Sequence, residues 1–193
     1  MRIVLLVALG GCMSSEPVRD GSASIDLDTP GGATATYRVV GGSNDSACAH
    51  GEHFTPLSGA VVRFGPSGGE LVSLAESTNG KYQGTAPTVY APAYQFSVDG
   101  EVFELAAPPY YSASVKPMSA NQVLLEVSDV SVPSDVMIHM PDGNTTSRTV
   151  NGSPALLDAD FSRSGEYRIE IIRNLESAAG AVEIRRAASL TMP

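Results

Sequence analysis

Apolar residues in this chain recur at every second position, and this spacing constrains the fold more than any other feature of the sequence. From residue 24 onward, short alternating runs recur between clusters of Gly, Pro, Asn and Asp. No stretch of a dozen residues keeps the i, i+3, i+4 spacing of an amphipathic helix. Because successive side chains of a strand point to opposite faces, the pattern predicts strands with one buried and one solvated side. We therefore expect an all-β chain.

The most specific local prediction is a hairpin over residues 94–105. Apolar and polar residues alternate on both sides of the dipeptide Asp99-Gly100, which favours the left-handed backbone that a two-residue loop requires. Because the turn fixes the register, counting outward shows which residues face each other. The predicted opposite pairs are Tyr94–Leu105, Gln95–Glu104 and Phe96–Phe103. This hairpin should therefore have one face in the core and one face in water.

Two consecutive prolines at residues 108–109 interrupt the alternating pattern. Proline lacks the backbone donor that a sheet requires and biases the preceding residue to extended conformations, so a short connector is expected there. We place a boundary at this point and predict two small antiparallel β-sandwich domains, at residues 24–109 and 110–193. The predicted strands of the first are residues 33–40, 60–64, 71–75, 81–85, 94–98 and 101–105. Those of the second are residues 111–115, 123–128, 135–140, 147–150, 155–161, 167–173 and 182–186, which suits an immunoglobulin-like sandwich.

Each half also contains segments that resemble known families. In the second half, Asp-Phe-Ser-Arg-Ser-Gly-Glu-Tyr at residues 160–167, followed by Arg-Ile-Glu-Ile, resembles the approach to the penultimate strand of immunoglobulin-like and fibronectin-like domains. The resemblance implies that Tyr167 packs at a corner, although the paired cysteines and the core Trp of antibody domains are missing. In the first half, residues 59–64, 79–82 and 92–98 together resemble the transthyretin-like, carboxypeptidase-regulatory type of sandwich. Both resemblances concern the fold and leave the function open.

The N-terminus has the order of an export signal. Arg2 is followed by an apolar run at residues 3–9 and then by Gly-Gly-Cys. A run of this length in helical geometry spans about 10 Å, roughly a third of the hydrocarbon core of a membrane. Because it is too short to cross a bilayer, we predict a signal peptide at residues 1–11.

Residues 9–12, Leu-Gly-Gly-Cys, resemble the bacterial lipobox. The resemblance implies a bacterial lipoprotein in which Cys12 is lipidated and becomes the new N-terminus, and two or three acyl chains then anchor the protein firmly in a membrane of the cell envelope. In this family an Asp after the cysteine marks the inner membrane, so Met13 favours the outer membrane. Residues 12–23 are small and polar and are expected to form a flexible tether. The alternative is an ordinary secretory signal with a chance cysteine.

The charge balance argues against nucleic acid as a partner. Without residues 1–11 the chain has 11 basic and 21 acidic side chains, and its Lys and Arg residues form no cluster. Binding to a phosphate backbone depends on such clusters. We therefore expect membrane contact through the lipid on Cys12 and no binding of nucleic acid.

The segment 41–58 is a long stretch without a strand pattern, and loops of this length are usually functional or disordered. It contains Cys48, His50 and His53, and thiolate and imidazole are the ligands that zinc and copper prefer. Three such ligands so close together could bind one ion, although the spacing matches no common zinc motif. The alternative is a solvated polar loop without a ligand. No orienting group for a Cys–His nucleophile can be identified.

Other candidate ligands have simpler explanations. His139 and Met137 share one face of a predicted strand and could bind copper, or they could merely cover the outer face of a sheet. Two acidic pairs each place two carboxylates on one strand face: Asp26 with Asp28, and Asp158 with Asp160. Calcium requires six to eight oxygen ligands and no calcium-loop spacing is present, so we expect these pairs to be solvated strand edges.

Together these features predict a protein that is not an enzyme. The leading hypothesis is an envelope-tethered interaction or structural module that offers loop ends or exposed strand edges to a protein partner and needs no cofactor. The alternative hypothesis is a lipoprotein that binds copper, zinc or a small ligand through the loop 41–58.

Overall fold

The structure is a computed structural model of the 193-residue chain, and it describes residues 17–29, 31–41, 55–87 and 89–193. Within these ranges the secondary structure is entirely β, which confirms the predicted fold class. The strands of the first half are β1 (Pro17–Asp26), β2 (Ala33–Gly41), β3 (Thr55–Pro56), β4 (Val62–Pro66), β5 (Val72–Ser73), β6 (Ala75–Thr78), β7 (Lys81–Ala86), β8 (Ala93–Val98) and β9 (Glu101–Ala106). Those of the second half are β10 (Ala113–Ser119), β11 (Gln122–Val127), β12 (Ser134–His139), β13 (Thr145–Val150), β14 (Ala155–Asp158), β15 (Gly165–Ser177) and β16 (Gly180–Met192). A search of the described residues finds no helix with the length and hydropathy needed to span a membrane.

The strands form three sheets. The largest has nine strands in the order β13-β12-β15-β16-β1-β2-β7-β6, with the short β3 paired to β2. A four-stranded sheet has the order β5-β4-β8-β9, and a three-stranded sheet has the order β10-β11-β14. Among the described strands, every pair is antiparallel except β1 and β16, which run parallel.

The two small sheets pack on the large sheet through the inward side chains of the alternating pattern. The rings of Tyr37 on β2 and Phe96 on β8 lie 4.8 Å apart, where the four-stranded sheet covers one half of the large sheet. The rings of Phe161, which follows β14, and Tyr167 on β15 lie 5.1 Å apart, where the three-stranded sheet covers the other half. Buried residues of both halves belong to one core cluster.

The predicted boundary between residues 109 and 110 separates the two small sheets, because β9 ends before it and β10 begins after it. The nine-stranded sheet, however, crosses this boundary. Strands β1, β2, β6 and β7 come from the first half, β12, β13, β15 and β16 come from the second, and the parallel pair β1–β16 joins them. A division into two independently folding domains stays a prediction.

The predicted tether at residues 12–23 is wrong from Pro17 onward, because β1 begins there. Strand β1 pairs with β2 on one side and with β16 on the other, so its backbone groups find partners on both sides. Its first inward positions, Gly21 and Ala23, hide the alternating signal because they are small. A Cβ atom on Gly21 would lie 2.9 Å from the rings of Phe96 and Tyr37. Close packing there excludes the large apolar side chains that mark a strand in a sequence.

The predicted hairpin is confirmed together with its register. Strands β8 and β9 pair Tyr94 with Leu105, Gln95 with Glu104 and Phe96 with Phe103. Asp99 and Gly100 have φ angles of 51° and 90°, the left-handed conformation that a two-residue loop needs. The core face carries the buried Phe96, and Glu104 on the other face is exposed.

The predicted strand at residues 71–75 is wrong as a single strand, because the structure divides it between β5 in the four-stranded sheet and β6 in the large sheet. The other predicted strands of both halves correspond to observed strands, with differences at their ends. Tyr167 also lies at a corner, as the resemblance to immunoglobulin-like domains implied. Its buried hydroxyl lies 3.1 Å from the carbonyl oxygen of Arg163 and 3.2 Å from that of Asp160. These contacts fix the chain before β15 to the start of that strand.

Candidate functional site

Some of the predicted site residues lie outside the residues that the structure describes: Cys12, Cys48, His50 and His53. The lipidation of Cys12 and the metal site in the loop 41–58 therefore stay predictions. The structure does describe the residues at which these two segments join the large sheet, and those residues are paired with one another.

The chain after Cys12 and the loop 41–58 both connect to the same end of the large sheet. Pro17, the first residue of β1, pairs with Gly41 at the end of β2. Gly41 in turn pairs with Thr55 of β3, where the chain returns from the loop. We call this the near end of β1 and the opposite end, after Asp26, the far end.

His139 lies on the outer face of β12, as predicted, and its ring nitrogens face side chains of the two neighbouring strands. Nδ1 lies 3.3 Å from the hydroxyl of Thr145, next to β12 on β13. Nε2 lies 3.4 Å from a carboxylate oxygen of Glu170 on β15. Across the described ranges, no group of three or more His, Cys, Asp and Glu side chains is arranged to hold a metal ion. In this structure His139 therefore links β13, β12 and β15 across the outer face.

The first acidic pair binds protein groups at the far end of β1. Asp26 accepts hydrogen bonds from the backbone N–H of Asp28 at 3.0 Å and from the Thr29 hydroxyl at 2.8 Å. Asp28 binds the guanidinium of Arg186 with both oxygens, at 3.0 and 3.1 Å. It also accepts the backbone N–H of Ala187. Asp28 thereby continues the contact between β1 and β16 beyond the end of β1.

The second acidic pair stabilises a strand end and a turn. Asp158 accepts a hydrogen bond from the Gln122 amide at 2.9 Å. Asp160 accepts one from the backbone N–H of Ser162 at 3.1 Å. The carboxylates of Asp158 and Asp160 thus both bind protein groups, and both side chains lie at the exposed surface.

A charged network crosses the outer face of the large sheet. Arg168 donates to Glu170 at 2.8 Å and lies 3.6 Å from Asp26, and Arg185 lies 3.7 Å from Glu170. Burial alone would raise the pKa of Glu170, but the hydrogen bond and charge of Arg168 outweigh it and hold the pKa below its ordinary value of 4.5. The ionised carboxylates thus tie β15, β16 and β1 together.

A buried arginine holds the connector between the two halves. Arg173 is only 1% exposed, and its guanidinium carbon lies 4.3 Å from the ring centroid of Tyr111. Its Nε donates to the Ser134 hydroxyl at 2.9 Å, and it also donates to the carbonyl oxygen of Asp129. Burial lowers the pKa of Arg173. Because the ring of Tyr111 stacks on the Arg173 guanidinium, the connector is held in place two residues after Pro109.

An exposed aromatic surface lies beside this connector. The rings of Tyr90 and Tyr110 lie 5.0 Å apart at an angle of 66°, an edge-to-face contact. Val89 and Tyr110 are 53% and 50% exposed, Pro109 is exposed, and the Tyr90 hydroxyl donates to the Pro108 carbonyl oxygen at 3.3 Å. We call Val89, Tyr90, Pro109 and Tyr110 the tyrosine patch. Tyr90 is half-buried and packs against the core, so Tyr110 is the exposed ring of the patch. An exposed tyrosine grouped with apolar residues is typical of protein-binding surfaces.

The tyrosine patch is held on β16 through Tyr110 and through the residue that follows it, Tyr111. Arg186 Nη1 donates to the hydroxyl oxygen of Tyr110 at 3.1 Å. The hydroxyl of the next residue, Tyr111, lies 2.9 Å from the carbonyl oxygen of Ile184 on β16 and 2.6 Å from that of Ile171 on β15. The patch therefore has a rigid support, since its contacts lead directly to two long strands of the large sheet.

The tyrosine patch also lies at the far end of β1. Arg186 binds both Tyr110 and Asp28, and Asp28 follows the last residue of β1 by two positions. Extended chain from Pro17 to Asp28 spans about 35 Å. A shallow depression of about 560 Å³, lined in part by Leu27 and Asp28, adjoins this end. The patch is thus separated from the near end by the length of a strand.

The sequence prediction missed the tyrosine patch because the prolines before it indicated only a connector. A usable signal was present in the adjacent residues Tyr110 and Tyr111. Successive side chains of an extended chain point in opposite directions, so only one of two neighbouring tyrosines can enter a core. The other has to be exposed, and in the structure that residue is Tyr110.

Comparisons with known proteins found similar solved structures but did not identify a family for this chain. No protein-family model matches the chain, and no curated protein matches it significantly. The chain is similar to a crystal structure of a tetra-tandem repeat in the extending region of a large adhesion protein, with 13% identity and a TM-score of 0.30, covering 90% of this chain and 49% of that one. It is also similar to fibronectin(III)-like modules of CbhA from Clostridium thermocellum, with 11% identity and a TM-score of 0.27, covering 89% of this chain and 93% of that one. This chain thus spans about half the length of the adhesion structure, and the fold class rests on its own strands.

Proposed function

We propose that this chain is a lipid-anchored protein of the bacterial cell envelope, held in the outer membrane through Cys12, and that it acts as a non-enzymatic interaction module. The tyrosine patch is the surface that binds a protein partner. The observation that carries the proposal is the position of this rigid patch, at the far end of β1 and about 35 Å along the chain from Pro17. A partner can thus bind away from the membrane that holds the near end.

The composition and support of the tyrosine patch favour a protein partner. Tyrosine and arginine dominate the residues that contribute most to protein–protein binding, because they bury a large area. The rings of Tyr90 and Tyr110 are already held by Pro108 and Arg186, so binding costs little side-chain entropy. Arg186 is neutralised by Asp28. We therefore expect a partner that covers the two rings with apolar groups rather than a strongly charged one.

The binding surface can be tested by photo-crosslinking in cells. A photoreactive residue at Val89 reports on the patch, and the same residue at Val102 on β9, which is 54% exposed, is the matched control. We expect one defined protein to be captured at Val89 and not at Val102. Tyr110→Ala should weaken its binding by about 30-fold, the effect of losing an interface residue worth about 2 kcal/mol. Equal capture at the two valines, or capture unaffected by Tyr110→Ala, would contradict the proposal.

The anchor can be tested by mass spectrometry of the exported protein. The proposal expects the loss of residues 1–11 and an added acyl mass on Cys12, with the protein in the outer-membrane fraction. Cys12→Ala should remove the acyl mass, and Cys48→Ala should leave it, because only Cys12 follows the lipobox pattern. A membrane-free, unacylated product in the unchanged protein would sink the anchored part of the proposal.

Metal binding by the loop 41–58 is the second candidate, and it rests on the closeness of Cys48, His50 and His53 in the sequence. Thiolate and imidazole are the ligands that copper and zinc prefer. Metal content should be measured for the unchanged protein and for the triple variant Cys48→Ser, His50→Ala, His53→Ala. Stoichiometric metal that the triple variant loses would establish this function, and equal content in both would exclude it.

A further inference from the structure

We infer that the parallel pair β1–β16 is a mechanical clamp that carries tension between the membrane anchor and a partner bound at the tyrosine patch. The inference rests on the proposed function, because the anchor and the partner supply the two pulling points. The clamp itself follows from the direction and register of the two strands. Residues 21–26 of β1 pair in parallel with residues 180–185 of β16, beginning at Gly21–Gly180 and ending at Asp26–Arg185.

The two pulling points load opposite ends of this pair. An anchor before Pro17 pulls β1 toward its near end. A partner on the tyrosine patch pulls β16 toward the far end, since Arg186 and Ile184 of β16 bind Tyr110 and Tyr111. The two strands are therefore drawn past each other along their length. In this shear geometry the backbone hydrogen bonds between them are loaded together, whereas in a peeling geometry they break one after another.

Side-chain contacts reinforce the pair where the far end is loaded. The Ser24 hydroxyl donates to Glu183 at 2.9 Å. The backbone N–H of Leu27 donates to the carbonyl oxygen of Arg185 at 3.0 Å, which adds a rung beyond the end of β1. The bidentate pair of Asp28 with Arg186 follows directly. These contacts join the strands at the end from which the partner would pull.

Strand β1 is also held firmly on its other side, so it cannot simply slide out of the sheet. It pairs with β2 along its length, from Pro17–Gly41 to Ile25–Ala33. Near its start Arg19 binds Glu101 and lies 4.9 Å from the ring centroid of Phe103, which ties β1 to the four-stranded sheet. Tension that enters at the near end is therefore distributed over two sheets before it reaches β16.

Single-molecule pulling can test the clamp without lipid or partner. The full chain is made without export, and Cys48→Ser leaves Cys12 as the first attachment point. In one variant the second handle is on Pro193→Cys, directly after the last residue of β16. In the other it is on Ala178→Cys, in the exposed turn that precedes β16. Both handles thus pull on the same strand, the first in shear and the second in peeling geometry.

We expect the first unfolding event in shear geometry to need at least about twofold more force than in peeling geometry, because the paired rungs share the load. Equal forces, or a lower force in shear, would overturn the inference. This outcome is separate from a failure of the proposed function. Loss of acylation or of partner capture refutes the anchor or the partner, whereas the pulling experiment reports only on the strand pair.

Discussion

Replacing Gly180 with alanine tests how tightly β1 and β16 approach each other. Gly180 opens β16 and pairs with Gly21 on β1. A Cβ atom at this position would lie 1.8 Å from the carbonyl oxygen of Gly21, and the φ angle of Gly180 is +138°. Both the space and the backbone conformation therefore require glycine, and the obstacle is backbone rather than a flexible side chain.

The expected loss follows from these two causes. A non-glycine residue in a sparsely populated backbone region costs about 1–3 kcal/mol. Forcing an extra methyl group into a packed contact costs about 1–3 kcal/mol more. We therefore expect Gly180→Ala to reduce the free energy of unfolding by roughly 2–6 kcal/mol, a large part of the 5–15 kcal/mol typical of native proteins.

Urea unfolding followed by tyrosine fluorescence is a suitable assay, because the chain has seven tyrosines and no tryptophan. With a typical urea dependence of about 2 kcal/mol per M, the midpoint should fall by roughly 1–3 M. Gly152→Ala is the matched control, since a Cβ atom there meets nothing within 4 Å, and its effect should stay within about 0.5 kcal/mol. A Gly180→Ala variant as stable as this control would refute the close approach of β1 and β16.

Three further predictions concern the core and the charged network. Tyr111→Phe should lower the free energy of unfolding by about 1–2 kcal/mol in urea titrations, because it removes a buried hydroxyl that contacts two backbone carbonyls. Arg173→Ala should cost about 2–4 kcal/mol by leaving a cavity, whereas Arg173→Met should cost less than half as much, since the groups that the guanidinium hydrogen-bonds are a neutral hydroxyl and a backbone carbonyl oxygen. The lowered pKa values of Glu170 and Asp26 mean that their stabilisation is present above about pH 4.5 and is lost as the pH falls through the folded-state pKa values. Melting temperatures between pH 7 and pH 3 should therefore fall less for Glu170→Gln than for the unchanged protein, and parallel curves would contradict this.

The sequence predicted strands well wherever alternation and turn chemistry agree. The hairpin of β8 and β9 shows this, because Asp99-Gly100 fixes the turn and the alternation of residues 94–98 fixes the face. Both signals are local. A register that depends only on a two-residue loop can be counted directly from the residues.

The pairing of β1 with β16 could not be predicted in this way. The two strands are separated by most of the chain, and alternation does not show which strand lies beside which. The first part of β1 also lacks large apolar residues, because Gly21 packs against the rings of Phe96 and Tyr37. Small polar residues that form a central strand therefore looked like a tether.

The candidate site was missed for a related reason. Tyr90 and Tyr110 lie on either side of the hairpin of β8 and β9, and the pairing of that hairpin continues outward to bring the two rings together. Which of the residues there stay exposed is decided by the packing of Tyr111 in the core. Arg173 was placed on a predicted strand, but its burial depends on Tyr111 from the connector and on Ser134 from β12. The sequence shows the residue types, and the tertiary contacts decide which of them are buried or exposed.

Hydrogen exchange at the backbone amides of residues 17–26 tests most directly whether β1 connects the N-terminal segment to the sheet. Because β1 is paired on both sides, its amides at residues 21–25 should exchange at least about a thousandfold more slowly than in an unstructured chain. Protection in this range would support the path from the proposed anchor through the sheet to the tyrosine patch. Exchange of these amides at the rate of an unpaired tether would contradict the account.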